Sequence, residues 1–165
     1  MDELRIRDAV ETDLDTILGM IRELAEYERL SHEAVADRSE MRRHLFGPRP
    51  KAEVLIAEWL NEEGPDTAGF ALFFHNFSTF VGKPGVYLED LYVRPAFRGR
   101  GVGRAMLARL AAIALERGCG RLEWSVLDWN QPARAFYKRL GAVALDGWTV
   151  NRLSGDALGA MAASG

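Results

Sequence analysis

At 165 residues the chain has the length of one domain and can bury roughly 70% of its unfolded surface; 48% hydrophobic and 27% charged residues give it an ordinary globular composition. A net charge of −3 argues against a nucleic-acid partner, whose footprint would be basic. One cysteine, Cys119, excludes an internal disulfide, the spacing of His32, His44 and His75 suggests no metal, and the lack of a signal-like start or membrane-length apolar run leads us to expect a cytoplasmic protein with no membrane partner.

Residues 4–10, LRIRDAV, alternate apolar and charged side chains as a half-buried strand does. Residues 12–30 then place Leu14, Ile17, Leu18, Ile21, Leu24 and Ala25 on one helical face, with Thr12 the expected N-cap and Asp15 three residues on. A second helix is expected over 37–47, capped by Asp37 with Glu40 and stopped by Gly47 and Pro48. Three strands follow at 53–59, 68–77 and 85–93, separated by the turn-rich NEEGPDT and STFVGKPG. A largely buried helix over 103–118, a strand over 121–127, a short helix over 131–140 ended by Gly141, and a final strand over 147–153 complete the series. The order predicts a single α/β domain spanning 1–165, with 154–165 a frayed helix or tail.

Residues 93–106, VRPAFRGRGVGRAM, stand out at the mouth of the third helix. Gly99, Gly101 and Gly103 allow positive φ and let backbone N–H groups converge. The helix N-terminus adds free N–H groups and the positive end of its dipole. Arg94, Arg98, Arg100 and Arg104 surround the run with cationic side chains, a combination suited to a pyrophosphate. Neither the Walker pattern nor the dinucleotide fingerprint is present. A tight strand-to-helix turn with solvent-facing arginines remains the plainer alternative.

The stretch YLEDLYV places two carboxylates in an otherwise apolar strand. Alternation sends Glu89 to one face with Tyr87 and Leu91, and Asp90 to the other with Leu88 and Tyr92. Burying a carboxylate without partners is costly, so the pair suggests either function or an exposed face. Tyr137, on the short helix after Asn130 and Pro132, reads by itself as a packed residue.

VRPAF followed by RGRGVGR resembles the pyrophosphate-binding signature Q/R-x-x-G-x-G/A of the GCN5-related N-acetyltransferases (GNAT), with Arg98, Gly101 and Gly103 at the signature positions. RELAEYE, YLEDLYV, LDWNQPA and FYKRLGA extend the likeness over about residues 2–153 to the diamine and thialysine acetyltransferases. The resemblance implies the GNAT fold, a mixed and mostly antiparallel sheet flanked by helices, and an acetyl-CoA-dependent enzyme acting without a covalent enzyme intermediate. Leu91, Tyr92 and Val93 would then bind the pantetheine arm through backbone groups, and Arg98, Gly99, Arg100, Gly101, Val102, Gly103 and Arg104 the pyrophosphate. Asn130 and Ala133 would touch the coenzyme again. Tyr27, Glu28, Glu89, Asp90, Glu123, Trp124 and Ser125 would line the amine pocket, joined by Asp146. Tyr137 matches the general acid, and Glu89 is the candidate base.

These residue types suit the chemistry. A lysine-like amine with a pKa of ~10.4 costs about 4.6 kcal/mol to deprotonate at pH 7, so a raised-pKa carboxylate helps. A departing thiolate of pKa ~8.5 can take a proton from a tyrosine at ~10, and a backbone N–H can hold the developing oxyanion. Cys119, flanked by glycines at a helix end, is not expected to act as a nucleophile.

One departure bears on the acceptor. Residues 78–80 read STF where the polyamine enzymes resemble DPW, removing an acidic and an indole contact. A short primary amine, a lysine analogue or a small diamine, is therefore expected, and the branch implies a homodimer. A protein or peptide acetyltransferase on the same fold and a non-catalytic acyl-CoA-binding module are the alternatives.

Overall fold

The structure, a computed structural model, describes residues 3–165. The chain divides into two compact units, one ending at Ser125 and the other beginning at Val126.

The first unit carries a five-stranded sheet in the order β1 (Glu3–Asp8), β2 (Glu53–Asn61), β3 (Gly64–Ser78), β4 (Lys83–Val93) and β5 (Leu122–Trp124). Neighbours are antiparallel except β4 and β5, which run parallel. The helices of this unit are α1 (Leu14–Tyr27), α2 (Arg38–Phe46) and α3 (Val102–Glu116). Val54, Ile56, Phe70, Leu72 and Tyr92 project from one sheet face onto Ile17, Met20 and Leu24 of α1 and Leu45 of α2, forming a continuous core. Helix α3 packs on β1, β3 and β4 and buries Val102, Met106, Leu107, Leu110 and Ile113. Gly69 matters here, because a Cβ at that position would collide with the Tyr92 carbonyl and crowd Met106.

Charge is paired where the sheet meets α1. Glu58, 6% exposed, accepts from Arg7 Nε and Arg5 Nε, each at 2.8 Å. Arg7 also donates to both carboxylate oxygens of Asp13, at 2.7 and 2.9 Å. Burial pushes the Glu58 carboxyl up, and the bonds from Arg7 and Arg5 more than offset this, holding it below the usual range.

Several sequence expectations need correction. The N-terminal turn before α1 is closed by Asp13, whose carboxylate accepts from Val10 N at 2.8 Å, rather than by Thr12. Asp15 instead pairs with Arg38. The Asp37 cap is present and accepts from Ser39 N and Glu40 N. NEEGPDT is no open loop: β2 and β3 continue through it to a tight turn at residues 62 and 63. The strand expected over 121–127 is ordered as β5 only from Leu122 to Trp124.

The second unit contains α4 (Gln131–Arg139) and α5 (Gly155–Ala162). Asn130 caps α4, its side chain accepting from Ala133 N at 3.3 Å, and Gly141 leaves the helix at φ 88°. Residues 155–162, expected as a frayed helix or tail, form α5. The strand expected over 147–153 is not formed, and these residues are exposed. A strand exists only as one side of a ladder, so alternation cannot create it where no edge pairs with it.

Candidate functional site

Strand β4 supplies the spine of the site. Its ladder with β5 comprises Val86–Leu122, Tyr87–Glu123 and Leu88–Trp124. Beyond Leu88, β4 runs on through Glu89–Val93 with, among the described residues, no strand of the sheet beside it on the β5 side. A backbone edge released in mid-sheet offers N–H and C=O groups to an extended ligand, as in strand addition. Leu91, Tyr92 and Val93, the expected pantetheine contacts, lie on this stretch.

The same stretch begins with a bulge. Leu72 pairs with Asp90 while Phe73 pairs with Leu88, leaving Glu89 without a cross-strand partner. The expected strict alternation of the two carboxylates therefore fails. Glu89 is exposed, and Asp90 is half-buried between the buried Leu88 and Tyr92. Burial pushes the Asp90 carboxyl up, with help from the charges of Glu89 and Glu28, to about 6. Burial likewise raises the Glu28 carboxyl, at the C-terminal end of α1. Tyr27, one residue earlier, is 39% exposed. The structure thus brings together Glu28, Glu89 and Asp90 of the expected amine pocket.

At the end of β4 the chain passes through a single turn, Pro95–Phe97, into the glycine-rich run. Gly99 and Gly101 adopt φ of 75° and 84°, in the left-handed region. Gly101 is the N-cap of α3 and has no side-chain cap bond, so the N–H groups of the first turn, Val102 to Arg104, are available to an anion. Gly103 belongs to that turn and not to the loop.

The expected halo of arginines is largely committed elsewhere. Arg94 forks onto Glu23 at 2.9 and 3.2 Å and donates to the Thr67 carbonyl, tying β4 to α1. Arg98 Nε donates to the Val93 carbonyl at 2.9 Å. Arg100 rests over the Trp59 and Phe97 rings. Among the described residues Arg104 alone of the four, exposed on α3, has no such contact. Of the four, only Arg94 meets a carboxylate among the described residues, and the backbone N–H groups and helix end add fixed positive dipoles beside the remaining charges.

On β5, Glu123 is already paired: Arg121 Nε lies 2.7 Å from its carboxylate, and Asn76 Nδ2 donates to the same oxygen at 3.1 Å. Ser125 Oγ shares a hydrogen bond of 2.9 Å with the Tyr87 hydroxyl. Trp124 is half-buried on the strand between them. Asn76 was not anticipated, although a polar residue within the apolar AGFALFFHNF strand was a readable signal. In the second unit, Tyr137 sits half-buried on α4 with its ring 5.4 Å from that of Phe136, Ala133 is half-buried one turn earlier, and Asp146 is exposed. Among the described residues no group of three or more His, Cys, Asp or Glu could hold a metal ion, and no helix is long and apolar enough to cross a membrane.

Comparison with known proteins bears on this geometry. Residues 16–142 match the acetyltransferase (GNAT) family. The thialysine N-epsilon-acetyltransferase of Bos taurus is 41% identical over 160 residues, covering 93% of this chain and 94% of the relative. The L-ornithine N5-acetyltransferase NATA1 of Arabidopsis thaliana is 34% identical, covering 95% and 87%. Among solved structures, an integron cassette protein from the mobile metagenome of V. cholerae superposes with a TM-score of 0.78 at 26% identity, covering 98% of each chain.

Proposed function

The chain belongs to the acetyltransferase (GNAT) family and is an acetyl-CoA-dependent N-acetyltransferase of a small-molecule amine; within that class we propose that its acceptor is a short primary amine, a lysine analogue of the thialysine kind or a small diamine. The observation that carries the proposal is the half-buried Asp90, within electrostatic reach of Glu28 and Glu89, at the start of the free β4 edge. A cluster of carboxylates there attracts a cationic amine and can take its proton.

Acetyl-CoA supplies the acetyl thioester. Backbone groups of Leu91–Val93 align its pantetheine arm, and the loop at Gly99–Gly101 with the first turn of α3 receives its pyrophosphate, flanked by Arg104. Asn130 and Ala133, at the start of α4, are carried over from the family as further coenzyme contacts. The resemblance gives the base to Glu89. The burial of Asp90 gives that neighbour the better claim, since burial raises its carboxyl to about 6, which makes it a stronger base than an ordinary aspartate while leaving it ionised at neutral pH. Glu89, at the mouth of the bulge, and Glu28 then hold the ammonium group of the incoming amine. The family resemblance gives Tyr137 the role of donating a proton to the departing thiolate.

The β3–β4 turn favours a short acceptor. Ser78 is spent within the turn, its hydroxyl accepting from Val81 N and its carbonyl from Gly82 N, and Phe80 is 97% exposed. Neither offers an anionic anchor to the far end of a polyamine. A homodimer is supported by the apolar, strand-patterned segment over 147–153, where Trp148 and Val150 are 78% and 82% exposed. The cytoplasm is the compartment we assign.

The test is release of CoA thiol from acetyl-CoA with thialysine, lysine, ornithine, putrescine, spermidine, spermine and a short peptide. Turnover confined to the short amines supports the reading. Preference for spermine or the peptide overturns it.

A further inference from the structure

Arg98 opens the left-handed loop, yet its side chain turns back from it. Its Nε donates to the Val93 carbonyl, and its guanidinium carbon lies 4.9 Å from the centre of the Tyr27 ring and 5.8 Å from that of Tyr92. A guanidinium can stack on a ring and donate in its own plane at once, which an ammonium cannot.

Tyr27 is the last residue of α1, and the chain leaves the helix just beyond it through an unusual turn. Arg29 takes a φ of 62°, left-handed for a residue with a side chain. Arg29 N donates to Glu26 O at 3.0 Å and Leu30 N to Ala25 O at 2.8 Å, the paired bonds of a Schellman end. A glycine would take this position without strain, so the turn depends on what surrounds it. The Arg98–Tyr27 contact joins this turn to the coenzyme loop.

The geometry points to Arg98 as a positioning residue for the amine half of the site: by clamping Tyr27 it passes the state of the coenzyme loop to the turn carrying Glu28, so that coenzyme on Gly99–Gly103 favours amine binding. This rests on the acetyltransferase reading above and gives Arg98 a role other than phosphate ligand. The pyrophosphate can be held by the backbone N–H groups of the loop and α3. The coupling is reciprocal, so bound amine also tightens coenzyme binding.

Hydrogen exchange at the Glu28, Arg29 and Leu30 amides, with and without saturating CoA, tests the proposal. In the unaltered protein CoA should slow exchange about fivefold, the scale of a cation–π contact. The slowing should survive Tyr27→Phe, which keeps the ring, and vanish in Arg98→Met and Tyr27→Leu. In Arg98→Met the thialysine KM should rise about fivefold even at saturating acetyl-CoA. Equal slowing in Arg98→Met, or a change confined to CoA affinity with the thialysine KM unmoved, overturns it. Should Arg98→Met fail to fold, the contrast between Tyr27→Phe and Tyr27→Leu decides in the same way. If the unaltered protein acetylates no amine while the exchange pattern follows Arg98 and Tyr27, the amine reading falls and the coupling stands.

Discussion

Asp90 pairs with Leu72 across the β3–β4 ladder one residue out of step with the rest of β4, because the next pair is Phe73–Leu88 and Glu89 falls between them. The bulge lies where β4 parts from β5, so the half-buried carboxylate and the free backbone edge begin at the same point. Bulges re-aim side chains, and this one separates an exposed Glu89 from a desolvated Asp90.

The raised Asp90 carboxyl has consequences of opposite sign for stability and rate. The folded protein binds this proton more tightly than the unfolded chain, so the group is least costly below about pH 4. Its cost grows as pH rises to about 6 and levels off above that at about 3 kcal/mol, from 3.8 to about 6. Asp90→Asn should therefore be the more stable protein at pH 7.5, with the difference vanishing near pH 4. Its kcat should fall by roughly 100-fold. In the unaltered enzyme kcat/KM should rise with pH through about 6, a limb absent from Asp90→Asn but present in Glu89→Gln. Urea melts at the two pH values and a pH–rate profile check both statements.

Tyr137→Phe removes one oxygen and leaves the ring beside Phe136. It should lower kcat on the order of 100-fold while leaving acetyl-CoA affinity unchanged, as measured by calorimetry against turnover. Unchanged kcat would remove Tyr137 from the proton path.

Arg7 neutralises two carboxylates at once, and Glu58 is buried. Arg7→Met should cost about 3 kcal/mol at pH 7, because Glu58 keeps only the more exposed Arg5. Hydrogen bonding by Arg7 holds Asp13 low, and Glu58 is low against its burial. Both groups stabilise the fold above the ordinary carboxylate range and lose that contribution as pH falls through their lowered values. The penalty of Arg7→Met should thus shrink below pH 4 in denaturant melts.

Gly101 has a φ of 84°, and a Cβ there would meet nothing within 4 Å. The penalty of Gly101→Ala is therefore purely conformational, about 1–2 kcal/mol. If the loop gives way instead of the fold, the acetyl-CoA KM should rise about tenfold at nearly constant melting temperature. A drop in melting temperature with an unchanged KM would show the loop is not the pyrophosphate site.

Features written in a few adjacent residues were legible beforehand. The Asp37 cap, the helical face at Leu14, Ile17, Leu18 and Leu24, and the left-handed glycines 99 and 101 depend on local sterics and hydrogen bonds, and the structure has each of them. The GNAT signature is likewise a run of residues whose backbone freedom is visible in their identity. The partners of Arg94, Arg98 and Arg100 were not legible, because a sequence states a charge and not the carboxylate, carbonyl or ring that its side chain rests on. Glu123 is a similar case, since its bond from Asn76 of β3 forms only because β3 and β5 flank β4 in the sheet.

The sequence by itself determined the helices, the turn chemistry of the glycine-rich loop and the family, because each rests on interactions within a few residues of chain. Tertiary structure alone decided which of two adjacent carboxylates is desolvated, where β4 lets go of β5, and that residues 147–153 form no strand. Desolvation, ladder register and strand pairing are properties of what lies across the sheet, and no alternation along one strand can specify its neighbour.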